Sequence, residues 1–228
     1  LTSLRHPVAA VAGAGMLTKR GGGWLTLSTA NSIHGRVTVE AGTLALGTPA
    51  SLGSVPVLTV AGGAVCDVSA LGESYTVPPG QTLGGNGTVS GSVIVTGTLA
   101  PGASVGRLAV TGTAALSGTV VMELEKAGSI LTNDVLTVGG GITLGGTLTV
   151  MHSGDALAEG DSFALFAAAA YAGSFAVLNL PPLPSGLMWR TDQLPVNGTL
   201  SVMAVPSPEI QPPAFDGTNL TLSFDSIE

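Results

Sequence analysis

The sequence predicts an all-β chain wound as a stack of short coils, and three observations lead there. Residues 21–54 hold three strand-like runs, at 24–28, 36–40 and 43–46, separated by glycine, by Asn31-Ser32 and by Ala41-Gly42. Apolar residues alternate with small polar ones in each run: Leu25 and Leu27, Val37 and Val39, Leu44 and Leu46. A period of two with one apolar face is the pattern of a half-buried strand. The runs are too short and too closely spaced for a sandwich of long strands. They suit a chain that turns a corner every few residues. Finally, Gly-Thr recurs at 42, 47, 87, 97, 112, 118, 146, 198 and 217, and a repeated small unit marks a solenoid. In such a unit glycine takes the corner conformations, threonine faces outward from the strand and leucine or valine fills the interior.

The same stretch resembles a known family. Leu25-Thr26-Leu27-Ser28, Ala30-Asn31, Gly35, Val37-Thr38-Val39, the run from Ala41-Gly42-Thr43 through Leu44-Ala45-Leu46, and Leu52-Gly53-Ser54 follow in the order of the autotransporter-associated β-strand repeat. Trp24, His34 and Arg36 stand where that motif usually has glycine, tyrosine and threonine. The resemblance implies a right-handed parallel β-helix and a secreted or surface-bound bacterial protein. It implies no catalytic residues, because the motif has none.

Composition narrows the class further. The chain has 228 residues, 34 of them glycine, and 9% are charged. Low charge with abundant Val, Leu and Thr is the opposite of a disordered composition. Only 156–159 and 163–172 tempt a helix assignment, and the alanine-rich 163–170 reads better as buried strand and turn. No uninterrupted apolar run approaches the ~20 residues that a membrane-spanning helix needs. The net charge is −7, with two lysines and five arginines, which disfavours nucleic acid and anionic membranes. Neutral polymers, cations and protein surfaces remain as partners. The single cysteine, Cys66, has no internal disulfide partner and reads as a small packed residue.

Along the chain, residues 1–20 lack a signal-peptide pattern and read as a partial first coil or a cap, so the sequence is expected to be a piece of a longer protein. Strand patterns continue at 57–60, 64–68 and 73–77. A cadence of short rungs follows at 81–83, 87–89, 92–95 and 97–100. Further runs lie at 107–110, 114–116 and 119–124, and three clean strands at 135–138, 142–144 and 147–151. From 161 to 202 the pattern shifts and holds most of the aromatics. Its Gly-Asp-x-Phe-x-Leu-Phe, Gly-x-Phe-x-x-Leu-x-Leu-Pro and Leu-x-Trp-x-Thr runs resemble the C-terminal part of the same repeat proteins, which implies an aromatic-rich capping region. The β-helix is thus expected over 1–204. Residues 205–213, with four prolines, read as a stiff linker. Residues 214–228 read as the start of a further β segment or a strand folding back.

Chemistry-bearing residues are few. His34, Arg36 and Glu40 share even spacing with Thr38, so an unbroken strand would turn all of them outward, with Trp24 one coil side away. An exposed tryptophan can stack on a sugar ring while Arg36 and Glu40 bond hydroxyls; the alternative is ordinary surface with a packed tryptophan. Tyr75, near Glu73, is exposed or buried according to register. Trp189, with Arg190 and Asp192, falls in the capping pattern and reads as core. Glu123 and Glu125 lie two apart, on one outward face if the strand holds. They are a carboxylate pair of the kind glycan hydrolysis uses, or a solvated face. Asp134 reads as a local turn acceptor rather than a metal ligand. His6, His34 and His152 have no ligand-spaced partners, and 155–161 lacks calcium-loop spacing. No metal or other cofactor is expected.

The functional expectation is a non-catalytic extracellular polysaccharide-binding module attached to a larger secreted or surface protein of a bacterium. Its ligand would be a plant or microbial glycan such as xylan, β-glucan or pectin, held by Trp24, His34, Arg36, Glu40 and Tyr75. No nucleic acid and no membrane insertion are expected. A structural spacer or adhesin passenger is the alternative. A glycan-cleaving enzyme stands third.

Overall fold

The computed structural model of the chain describes residues 5–8, 10–48, 52, 54–206, 214–215, 217–218 and 220–221; of 5–8, 214–215 and 220–221 it describes the backbone alone. The architecture is all-β, repetitive and largely parallel, as expected of a solenoid. Successive turns of the chain lay strands on three sides. One side is a nine-stranded sheet that includes Leu17–Lys19, Val37–Val39, Val57–Val60, Thr82–Gly85, Thr98–Pro101, Thr119–Ala127, Thr147–Gly154 and Val177–Asn179 in spatial order. The other two sides fuse into one eleven-stranded sheet at the long strand Val135–Leu144. Its first half pairs with Arg107–Val110 and its second half with Ala114–Leu116.

Equivalent positions stack in register, and this stacking is the core. Val37, Leu58, Leu83, Leu99, Val120 and Leu148 form one inward column across the nine-stranded sheet, and all are buried. Leu44, Cys66, Val89, Val110 and Val138 form a second. Val77, Val95 and Leu116 form a third. Each side chain loses its water only because the next coil covers it, at ~25 cal/mol per Å² of apolar surface, so stability is a sum of rung-to-rung contacts. Cys66 sits inside its column with no exposed surface, and burial pushes its thiol up to about 12. The folded protein is therefore expected to resist thiol-labelling reagents, with labelling appearing in step with urea unfolding. Rapid labelling of the folded chain would mean that the column is wrongly registered.

Three departures from the expected pattern shape the outer surface. Residues 135–138 and 142–144 belong to one strand, not two, with a register shift against Phe166–Gly173 between Val138 and Gly141. The run at 119–124 extends to Ala127 and turns back as Ile130–Asn133, an antiparallel hairpin inserted between coils. Residues 163–172 are strand, in Ser162–Ala164 and Phe166–Gly173, but Ala167, Ala169 and Ala170 are exposed rather than buried.

The C-terminal region holds a small antiparallel sheet of Ser162–Ala164, Thr199–Ala204 and Leu187–Arg190, with one helical turn at Leu194–Asn197. Among the described residues no aromatic cluster marks the expected aromatic-rich capping region. The one ring pair among the described residues is Phe166 with Phe175, 5.7 Å apart. Phe163 is buried, the Tyr171 hydroxyl lies within hydrogen-bond distance of the Phe166 and Asn197 carbonyls, and Trp189 donates from Nε1 to the Pro181 carbonyl at 2.8 Å. The aromatics are thus spent one by one on separate backbone segments. Residues 207–213, most of the expected linker, and 222–228 lie outside the described residues. Ala214–Phe215 and Leu220–Thr221 pair antiparallel.

Candidate functional site

The residues expected to hold a glycan do not form one patch. The strand that would have aligned His34, Arg36 and Glu40 covers only Val37–Val39. Gly35 breaks it at a corner so tight that a Cβ there would lie 2.2 Å from the Gly15 carbonyl oxygen. His34 therefore ends the preceding side, in register near Gly13, with Nδ1 3.0 Å from the Ser32 carbonyl. Arg36 is exposed. Glu40 is engaged by Arg20, whose Nε donates to Oε2 at 2.8 Å. Trp24 is half-buried on the other sheet, in register with Thr43.

Tyr75 is corrected more sharply. It is a core residue, 5% exposed, in register with Val93. Its hydroxyl donates to Gln81 Oε1 at 2.9 Å, and Gln81 Nε2 donates to the Leu52 and Val55 carbonyls at 2.6 and 2.7 Å. Burial pushes the phenol well above its ordinary range. The inner register was the open alternative in the sequence, and the buried Gln81 acceptor explains how it is satisfied. Tyr75 cannot reach a surface ligand from there.

Register creates a surface that the sequence did not make visible. Thr82, Thr98, Thr119 and Thr147 are neighbours on consecutive strands of the nine-stranded sheet, and all four are partly exposed. Their side chains alternate with the buried Leu83, Leu99, Val120 and Leu148, so they face outward. Beside this hydroxyl ladder runs a column that includes Gly84 and Ala100 and, further along, Thr149 and Asn179. Asn179 Nδ2 donates to Thr149 Oγ1 at 3.3 Å. The signal was present as Gly-Thr at 97, 118 and 146, but only the coil lengths decide that these threonines align.

Along the same strands the inserted hairpin makes a cleft of about 230 Å³, lined by Ser104, Val105, Glu123, Glu125, His152 and Ser153 among others. Glu123 and Glu125 alternate with the buried Leu124 and so share the outward side, as expected. Neither has a basic partner in the ion pairs among the described residues. Behind them lies Asp134, 1% exposed. Its Oδ1 accepts from the Gly106 amide and its Oδ2 from the Glu123 amide, each at 2.8 Å. It is therefore a long-range clamp rather than a local turn acceptor. Burial pushes its carboxyl up to about 6, against the pull of those two amides.

Among the described residues no group of three or more His, Cys, Asp or Glu could hold a metal ion, and no helix is long and apolar enough to cross a membrane. No protein-family model matches this chain, and no curated protein is significantly similar to it.

Proposed function

We propose that the chain is a non-catalytic module that binds an extended extracellular polysaccharide along the outward face of its nine-stranded sheet. The threonine ladder carries this reading. Thr82, Thr98, Thr119 and Thr147 repeat at the ~4.8 Å spacing of adjacent strands, and the neighbouring Gly84 and Ala100 keep the surface beside them low. Hydroxyls can donate and accept, which matches a polymer of hydroxyls. Small side chains lose little entropy when a chain settles on them. The binding surface thus moves from Trp24, His34, Arg36 and Glu40 to the ladder. The resemblance of residues 21–54 to the autotransporter-associated repeat favours a second reading, a structural spacer of a bacterial surface protein.

Native affinity electrophoresis against soluble xylans, β-glucans, mannans and pectins separates the two, with each polymer also assayed for new reducing ends. Retardation by one polymer class is expected, with no new ends. Thr98→Lys with Thr119→Lys is expected to weaken it at least ~10-fold, while unfolding stability shifts only within the ~0.5 kcal/mol typical of surface changes. Retardation unaffected by the lysines would remove the ladder from the site. No retardation by any polymer would favour the spacer. New reducing ends lost in Glu123→Gln or Glu125→Gln would make the cleft an active site.

A further inference from the structure

One buried side-chain nitrogen in the C-terminal half of the solenoid has no partner. His152 Nε2 is shielded from solvent and makes no hydrogen bond, and a buried orphan of this kind calls for a cause. His152 pairs in register with Leu124, and Lys126 with Gly154, on the two longest strands of the nine-stranded sheet. Lys126 Nζ lies 2.7 Å from Asp161 Oδ2, and these side chains are only 11% and 13% exposed. His152 also lies near enough to act electrostatically on the same Asp161 carboxylate. Asp161 is held rigidly: its Oδ2 also accepts from the Ala158 amide at 2.8 Å, and its carbonyl accepts from Val202 at 2.8 Å. Leu124, Leu157 and Phe163, close in sequence to the pair, are buried.

We propose that Lys126 and Asp161 condense into an internal isopeptide bond, with His152 as the proton relay. An amine held against a carboxyl in a part-buried, fixed geometry has the proximity that converts a slow bimolecular reaction into an intramolecular one, and a lysine amine is a nucleophile once it is neutral. The proton already shared in the hydrogen bond moves from Nζ to Oδ2, leaving a neutral amine and a neutral acid. The Nζ lone pair adds to Cγ. His152 Nε2 takes a proton from the nitrogen and returns it to the departing hydroxyl. The N–C bond forms, the C–O bond breaks and one water leaves; ammonium plus carboxylate becomes amide plus water, with no oxidant, reductant or net charge change. Burial raises the Asp161 carboxyl, but the Lys126 ammonium and the Ala158 amide outweigh it and hold the group below the usual carboxylate range. The charged pair therefore dominates at rest and the step is slow. It need happen only once per molecule. The product staples the inserted hairpin to the segment that leads into the C-terminal antiparallel sheet.

The test is the intact mass of the full chain under denaturing conditions, followed by a fragment map. The wild type is expected to weigh one water less than its sequence, with the fragment bearing Lys126 joined to the fragment bearing Asp161. Lys126→Arg, which keeps the ion pair, is expected to show the full sequence mass. His152→Gln is expected to accumulate the lighter form at least ~10-fold more slowly. A wild-type mass equal to the sequence after prolonged incubation, with both fragments recovered separately, would reduce the contact to an ion pair. Equal rates in wild type and His152→Gln would remove the histidine from the reaction.

Discussion

Gly85→Ala is expected to destabilise the protein by roughly 3–5 kcal/mol, while Gly63→Ala costs only about 1 kcal/mol. Both glycines have positive φ, +106° at Gly85 and +78° at Gly63, so alanine is strained at each. The difference lies in what surrounds them. At Gly63 a Cβ would meet nothing within 4 Å. At Gly85 it would sit 2.1 Å from the Val60 carbonyl oxygen and under 3 Å from two more Val60 backbone atoms. Val60 cannot retreat, because its oxygen accepts from the Gly87 amide at 2.9 Å and its side chain is buried in the core. Gly85 is further tied to Gly102 by a reciprocal pair of backbone hydrogen bonds at 3.0 and 3.1 Å. The methyl must therefore push adjacent coils apart, and a solenoid has no other source of stability at that point. With total stabilities of only about 5–15 kcal/mol, urea unfolding will resolve the two variants easily. A Gly85→Ala cost close to that of Gly63→Ala would show that the coils can separate locally at little expense, against the close approach of Gly85 to Val60.

Much of this architecture was legible because the solenoid writes its geometry into the sequence locally. Leu25 and Leu27, Val37 and Val39, and Leu44 and Leu46 alternate with small residues, and each of those strands forms within a residue or two of its expected place. At corners such as Gly35, Gly42 and Gly146 glycine is needed because a Cβ there would strike the neighbouring coil. The lengths of the intervening turns were not legible. His34 and Arg36 differ by one corner from a shared face because Gly35 turns the chain, and alternation alone carries no sign of it. The hairpin of Thr119–Ala127 and Ile130–Asn133 was half visible as an apolar run, but Gly128 and Ser129 were indistinguishable from any other corner. Aromatic content suggested a cap, yet whether rings meet depends on three-dimensional closure, which composition does not specify.

The candidate surface was hidden for a related reason. A threonine on a strand faces out almost anywhere, so Thr82, Thr98, Thr119 and Thr147 carry no individual signal. They become a ladder only when the register of successive coils is known. Tyr75 was open to either register, and its choice is fixed by Gln81, six residues away, which turns inward to meet its hydroxyl. The contacts of Asp134 are likewise set by partners distant in sequence. Asp134 bonds Gly106, 28 residues away, and Glu123, 11 residues away.

Asp134→Ala is the second large expected effect, and its dependence on pH has a definite sign. The substitution leaves the Gly106 and Glu123 amides without their acceptor, at about 1–3 kcal/mol for each buried donor. The wild-type carboxyl titrates near pH 6 in the folded chain, above its ordinary 3.8, because burial opposes its charge. Between those two values the folded state holds a proton that the unfolded state has released. Stability from this group is therefore full below about pH 4 and declines as pH rises through about 6. The loss is on the order of 2–3 kcal/mol, from the rise of the carboxyl from 3.8 to about 6 at about 1.36 kcal/mol per pH unit. Alanine cannot titrate, so the difference between wild type and Asp134→Ala should be larger near pH 4 than near pH 7. Subtracting the two curves removes every group that titrates alike in both proteins. Urea unfolding of both chains across this range makes the comparison. A difference that grows toward neutral pH would show that the two amides outweigh burial, making the clamp between residue 106 and the hairpin strongest when Asp134 is ionised. A declining difference would show that the fold keeps a carboxyl behind the Glu123 and Glu125 cleft against the cost of its charge, retained for the two backbone amides it joins.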